Sequence, residues 1–115
     1  MKIIKLLPCL LLVSSNAFSS VSISEFETKI KSRDTDTYLI GLASGLNTAN
    51  SALKLNKNPP LYCLPPFLKL SASNYKEIIS LGIKDIPASR SDRGSMDIDG
   101  ILLKKLIELY PCGYS

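Results

Sequence analysis

The sequence predicts an all-α fold: a small bundle of three main helices plus a short N-terminal helix, closed by one disulfide. Three observations predict it. Apolar residues recur at helical spacing in several separate segments, marking one face of each helix. No run alternates apolar and polar residues in the manner of a half-buried strand. A cysteine pair joins a proline-rich crossing to the C-terminal end of the chain. At 115 residues the chain has room for one domain, and neither a repeat nor a low-complexity tract interrupts it.

The first segment is expected to lie outside the fold. Met1 to Lys5 gives a basic start, Leu6 to Val13 an apolar run, and Ser14 to Ser20 a small, polar end, which is the plan of a secretory signal peptide. The run is far short of the roughly 20 residues that a membrane-spanning helix needs, and Pro8 interrupts it. Cleavage after Ala17 or after Ser19 leaves small residues where the peptidase reads; taking Ser19, 1–19 is the leader and 20–115 the helical domain. Cys9 follows a proline at the start of the apolar stretch and is badly placed for lipid attachment, so no membrane association is expected after cleavage. Removal of the leader takes away Lys2, Lys5 and the odd cysteine.

From Ser24 the pattern turns helical. Ser24 with Glu27 reads as a capping box, and Phe26 with Ile30 gives a short apolar stripe ending near Ser32. Arg33-Asp34-Thr35 reads as a turn, and from Asp36 the residues Leu39, Leu42, Leu46, Ala49 and Leu53 form the clearest helical stripe. Ser44, Asn47, Thr48, Asn50 and Ser51 make this helix too polar for lipid. Gly41 and Gly45 within it each cost about 1 kcal/mol relative to alanine. That cost implies the close approach of another element or, alternatively, of a second copy of the chain.

Asn58-Pro59-Pro60-Leu61-Tyr62-Cys63-Leu64-Pro65-Pro66 cannot be helical, because proline fixes its own φ and pushes its predecessor to extended geometry. Ser71 or Ser73 then caps a helix with Ala72, Tyr75, Ile79 and Ile83 on one face, ending near Lys84 at Gly82 and Asp85 to Pro87. Ile86 to Ser95 is a polar loop with Arg90, Ser91, Asp92 and Arg93 at an exposed tip. From Met96 the last helix carries Ile98, Leu102, Leu106 and Leu109 on one stripe, widened by Ile101, Leu103, Ile107 and Tyr110, until Pro111 stops it beside Cys112. Cys63 and Cys112, the even pair of a small exported chain, read as a disulfide. The loop it closes gives roughly 4 kcal/mol in the chain-entropy model.

Composition narrows the chemistry. Histidine is absent, which removes the commonest general base and transition-metal ligand, and with them Ser-His and Cys-His nucleophiles. Asp97 and Asp99 stand two apart, so on a helix they diverge and make a poor acid/base pair; helix N-terminal charge accounts for them better. With Asp92 they lack the ligand spacing of a calcium loop. Gly41-Leu42-Ala43-Ser44-Gly45 lacks the lysine and hydroxyl of a phosphate cradle. No metal or cofactor is therefore expected, and no enzyme. The net charge of +4 for the whole chain comes with no lysine or arginine run, so there is no nucleic-acid footprint. What remains is recognition, with Arg90, Ser91, Asp92 and Arg93 as the candidate partner-binding loop, its guanidinium groups suited to acidic groups or a cleft on another protein.

One resemblance sharpens this. Tyr38-Leu39-Ile40-Gly41-Leu42, then Asn50, then Tyr62-Cys63-Leu64-Pro65, a helix, and a last helix closing in Leu109-Tyr110-Pro111-Cys112 resemble the Rap/Tai periplasmic immunity proteins of type VI secretion systems. The resemblance covers about 25–112, and its most specific parts are the Cys-x-Pro after a hydrophobic pair and the terminal Tyr-Pro-Cys. It implies a small periplasmic, mostly helical protein that binds a cognate secreted effector, a peptidoglycan amidase, and occludes its active-site cleft with a protruding segment. It also implies a homodimer, for which the Gly41/Gly45 face is a candidate contact. Relatives often carry a further cysteine before the Tyr-x-x-Gly element, where this chain has Asp36 and Thr37. The competing expectation is a small, single-disulfide periplasmic stress chaperone that exposes apolar surface in acid.

Overall fold

A computed structural model of the chain describes residues 20–113; the leader expected over 1–19 lies outside the described residues. Among the described residues four α-helices follow in order: α1 (Ile23–Thr28), α2 (Arg33–Leu55), α3 (Ala72–Lys84) and α4 (Ile98–Leu109), with a 3-10 turn (Arg93–Ser95) before the last. Among the described residues there is no strand, and one isolated antiparallel bridge, Ser22 with Asp97, ties the N-terminal end to the start of α4. The core takes Ile23 and Phe26 from α1, Leu39 and Ala43 from α2, Tyr62 from the crossing, Tyr75, Ile78, Ile79 and Ile83 from α3, and Ile98, Leu102 and Leu106 from α4. All-α architecture with three main helices, a short first one and the Cys63–Cys112 disulfide is thus what the chain adopts.

The helix starts move. The capping box of α1 is Ser22 with Glu25, not Ser24 with Glu27: Ser22 Oγ accepts from the Glu25 N–H at 3.2 Å and Glu25 Oε1 accepts from the Ser22 N–H at 3.4 Å. Both pairs have the same local chemistry, and long-range bonds select between them. Ile23 N donates to Met96 O at 2.8 Å and Ile98 N to Val21 O at 2.9 Å, a register that buries Ile23 and Phe26 together. Ile30 lies beyond the end of α1 and packs against the core from there.

The expected turn at Arg33-Asp34-Thr35 is the first turn of α2. Ser32 caps it, accepting from the Thr35 N–H at 3.1 Å, and Asp34 and Asp36 sit where the helix dipole favours negative charge. The inner face is Thr35, Leu39, Ala43 and Asn50, with Leu42 and Leu46 half-buried; Ala49 is exposed. At the other end Lys57 takes the left-handed φ of 60°, Asn58 N donates to Leu53 O at 2.8 Å and Lys57 N to Lys54 O at 3.0 Å. These are the two bonds of a Schellman motif, built here on lysine in place of glycine.

Of the glycines inside α2 and α3, the one another element approaches closely is Gly82. Nothing stands within 4 Å of a side chain built on Gly41 or Gly45, so no element of the described chain approaches that face. Gly82, read from sequence as a stop signal, is instead an internal, buried position of α3, where the Ile101 methyl Cγ2 lies 2.5 Å from the site of an added Cβ. The α3–α4 packing depends on that missing side chain. Of the two candidate caps for α3, Ser71 is the one used, paired reciprocally with Asn74 at 3.2 and 2.9 Å. On α4, Ile98, Leu102 and Leu106 are buried as expected, but Leu109 and Ile107 lie on the exposed side of the last turn, whose inner side is the one that Leu106 buries.

Candidate partner-binding site

The proline-rich crossing is fixed by a polar clamp. Asn50, buried on α2, uses both ends of its amide: Oδ1 accepts from the Leu61 N–H at 2.6 Å and Nδ2 donates to Tyr62 O at 2.6 Å. An extended segment without neighbours would bury these backbone groups unpaired, and one asparagine satisfies both. Tyr62 is buried, and its hydroxyl donates to Asn47 Oδ1 at 2.6 Å, one turn before Asn50 on α2. Cys63 N donates to Tyr110 O at 2.8 Å, and the disulfide to Cys112 fixes the same pair of segments covalently, with Cα atoms 4.8 Å apart. In the sequence Asn47 stands out only as polarity on a helix, and Asn50 as that and as one residue of the Rap/Tai resemblance, with no contact assigned to either. Their i, i+3 spacing puts both on one face ahead of a segment that cannot pair with itself, which was the signal to use.

Beyond Tyr62 the crossing ends in a turn, Pro65-Pro66-Phe67-Leu68, closed by Leu68 N donating to Pro65 O at 3.1 Å. Phe67 has φ 69° and is wholly exposed, at 101% of its reference area.

The Arg90 to Arg93 loop is less open than its sequence suggests. Arg90 and Asp92 form a fork, Nε to Oδ1 at 2.6 Å and Nη2 to Oδ2 at 3.2 Å, both residues about half exposed. Hydrogen bonding from Arg90 holds the Asp92 carboxyl below its ordinary range, and Asp92 in turn raises Arg90. Ser91 is exposed between them. Arg93 corrects the expectation of a four-residue exposed tip: it is part-buried, its Nη2 points to Ile83 O at 3.5 Å, and its Nε is buried without a partner. The reason is local packing, since Arg93 begins the 3-10 turn and Gly94 lies so close to Ser24 that a side chain there would meet its Oγ at 2.6 Å. The structure therefore brings Arg90 and Asp92 together and turns Arg93 inward.

Between this loop, the end of α3 and α4 lies a groove of about 490 Å³, lined by Ile86, Pro87, Met96 and Ile101 together with Arg90 and Lys104. Lys105 also lines it and pairs with Asp85 at 2.7 Å, a bond that holds the Asp85 carboxyl below its ordinary range.

Asp97 and Asp99 are separated by their partners. Asp97 accepts from Ser20 Oγ at 2.9 Å, and Asp99 accepts from the Tyr38 hydroxyl at 2.7 Å. Burial, then the bond to Asp99 and its charge, push the Tyr38 phenol up to about 12. Tyr38 is thereby fixed to the start of α4.

Compared with models of known families, with curated proteins and with solved structures, the chain finds no significant match.

Proposed function

We propose that the protein is an exported immunity protein, acting in the periplasm, that binds a cognate type VI effector, a peptidoglycan amidase, and blocks it stoichiometrically without catalysing a reaction. One observation supports this reading above the others. Three of the four segments that carry the resemblance to Rap/Tai proteins, at Asn50, Tyr62 to Pro65 and Leu109 to Cys112, meet in one structural unit, while the fourth, Tyr38 to Leu42, is tied to the start of α4 through the bond from Tyr38 to Asp99. Asn50 holds Leu61 and Tyr62, Cys63 bonds to Tyr110 through the backbone, and Cys63 joins Cys112 covalently. A motif whose separated parts are in mutual contact behaves as one constraint on the fold, which favours shared architecture over chance spacing.

The Arg90 loop is a contact surface in this proposal. Arg90, Ser91 and Asp92 face outward, and Arg93 works from below as the tether that sets the loop on the body. An acidic group on the effector would compete with Asp92 for the Arg90 fork.

The test is affinity capture of the mature protein from lysate of the source bacterium, with mass spectrometry and a peptidoglycan-hydrolysis assay on what is retained. A single stoichiometric hydrolase whose activity falls on binding is the expected result. A broad set of partners retained only in acid would replace this reading with that of a stress chaperone.

A further inference from the structure

We propose that Phe67 is the anchor of a protein–protein interface, a ring preset to enter an apolar pocket on a partner polypeptide. The inference rests on the reading of this protein as a binder of one protein partner, and it locates the contact at a place the charged loop does not reach.

Phe67 stands third in the Pro65-Pro66-Phe67-Leu68 turn, where the chain needs a positive φ and where glycine or asparagine is the ordinary occupant. A bulky aromatic residue in the left-handed region costs free energy that glycine would not. In the core such a cost is offset by burial of the ring, but here the ring is wholly exposed and buries nothing against the described residues. Phenylalanine at this position thus strains the backbone and gives the isolated fold no packing in return. Burial in a second molecule supplies the missing return, as aromatic anchors do at the centres of interfaces.

The turn is also held in place. Pro65 and Pro66 restrict it, Cys63 just before it is bonded to Tyr110 and Cys112, and Tyr62 is locked by Asn47 and Asn50. A ring displayed on so constrained a mount loses little freedom on docking. The surroundings specify the partner's chemistry. Between Lys57 and Lys69 the chain carries no charge, and Leu61 and Leu68 are exposed on the same segment. That suits an apolar pocket in a protein. A lipid surface accepts mobile side chains, has no use for a preset ring, and is ordinarily met by a cluster of basic residues that this segment lacks.

The test places the photo-crosslinking residue p-benzoylphenylalanine at position 67 of the full chain in the source bacterium, and measures the affinity of Phe67→Gly for whatever polypeptide is joined. The expected result is one adduct with a different polypeptide, at least 50-fold weaker binding of that polypeptide by Phe67→Gly, and a melting temperature no lower than that of the wild type. If the adduct is a peptidoglycan hydrolase, the proposed function gains with it. If it is another protein with the same loss of affinity, Phe67 stands as the anchor and the hydrolase reading falls. Adducts only with lipid or with a second copy of the chain, no adduct, or affinity within threefold of wild type would overturn the proposal while leaving inhibition of a hydrolase to its own assay.

Discussion

The methyl Cγ2 of Ile101 lies 2.5 Å from the point where a side chain on Gly82 would begin, so α3 and α4 meet at a position that tolerates only glycine. Ile101 is β-branched and its backbone carbonyl is 3.5 Å from the same point, which leaves the contact little room to yield. Gly82→Ala is expected to destabilise the protein by about 1–3 kcal/mol through overpacking. Gly45→Ala, on a face that no other element among the described residues approaches, is expected to stabilise it by up to about 1 kcal/mol through helix propensity. Urea denaturation of the two variants reads opposite signs; equal and same-signed shifts would contradict the packing described.

Asn50 serves two backbone groups at once, so its loss leaves the Leu61 N–H and the Tyr62 carbonyl without protein partners. Asn50→Ala is expected to cost about 2–4 kcal/mol, the sum of two unsatisfied groups at about 1–3 kcal/mol each less some relaxation. Asn47→Ala, which strands one hydroxyl, should cost less. Midpoints of chemical denaturation with the disulfide intact check the order.

Replacement of both Cys63 and Cys112 by serine opens a loop 49 residues in sequence separation. The expected loss is about 2–5 kcal/mol, because the unfolded chain regains the freedom the cross-link removed. Thermal melts of the double variant beside the wild type, in the same buffer, measure it.

Alkaline stability should respond to Tyr38. Its phenol is pushed up to about 12 from 10.0, so between these values the unfolded chain releases the proton and the folded chain keeps it. The unfolded state then binds fewer protons, and stability falls as pH rises through that window. Tyr38→Phe is expected to lower stability at neutral pH by about 1 kcal/mol, through loss of the Asp99 bond, and to flatten the alkaline fall. Denaturation curves at pH 9 to 12 for both proteins test the slope.

Legibility in the sequence followed how local each signal was. The α3 helix was readable because Tyr75, Ile79 and Ile83 repeat on one side and Ser71 begins a capping box. The start of α1 was not, since Ser22 and Ser24 each precede a glutamate by three residues and only the bonds to Met96 and Val21 separate them. At Gly41 and Gly45 the expected approach of another element of the chain is absent among the described residues, and at Gly82, expected as a stop, such an approach is found. What stands opposite Gly41, Gly45 or Gly82 is a property of another segment, which periodicity along one helix does not contain. The disulfide could be read because the cysteine count left one pair once the leader was set aside. The Arg90 loop could be placed but its internal pairing was overlooked, although Arg90 and Asp92 are only two residues apart. The exposure of Phe67 lay beyond reach, because a phenylalanine after two prolines looks the same whether it turns in or out.

The central claim is inhibition of one hydrolase by one binding protein. Its most direct measurement is a titration of the purified protein against a fixed, micromolar concentration of the peptidoglycan hydrolase that affinity capture returns, following release of peptidoglycan fragments. The account predicts activity that falls linearly to near zero and breaks at a fixed molar ratio, with little change between low and moderate salt. Full amidase activity at a tenfold excess of the protein would contradict it.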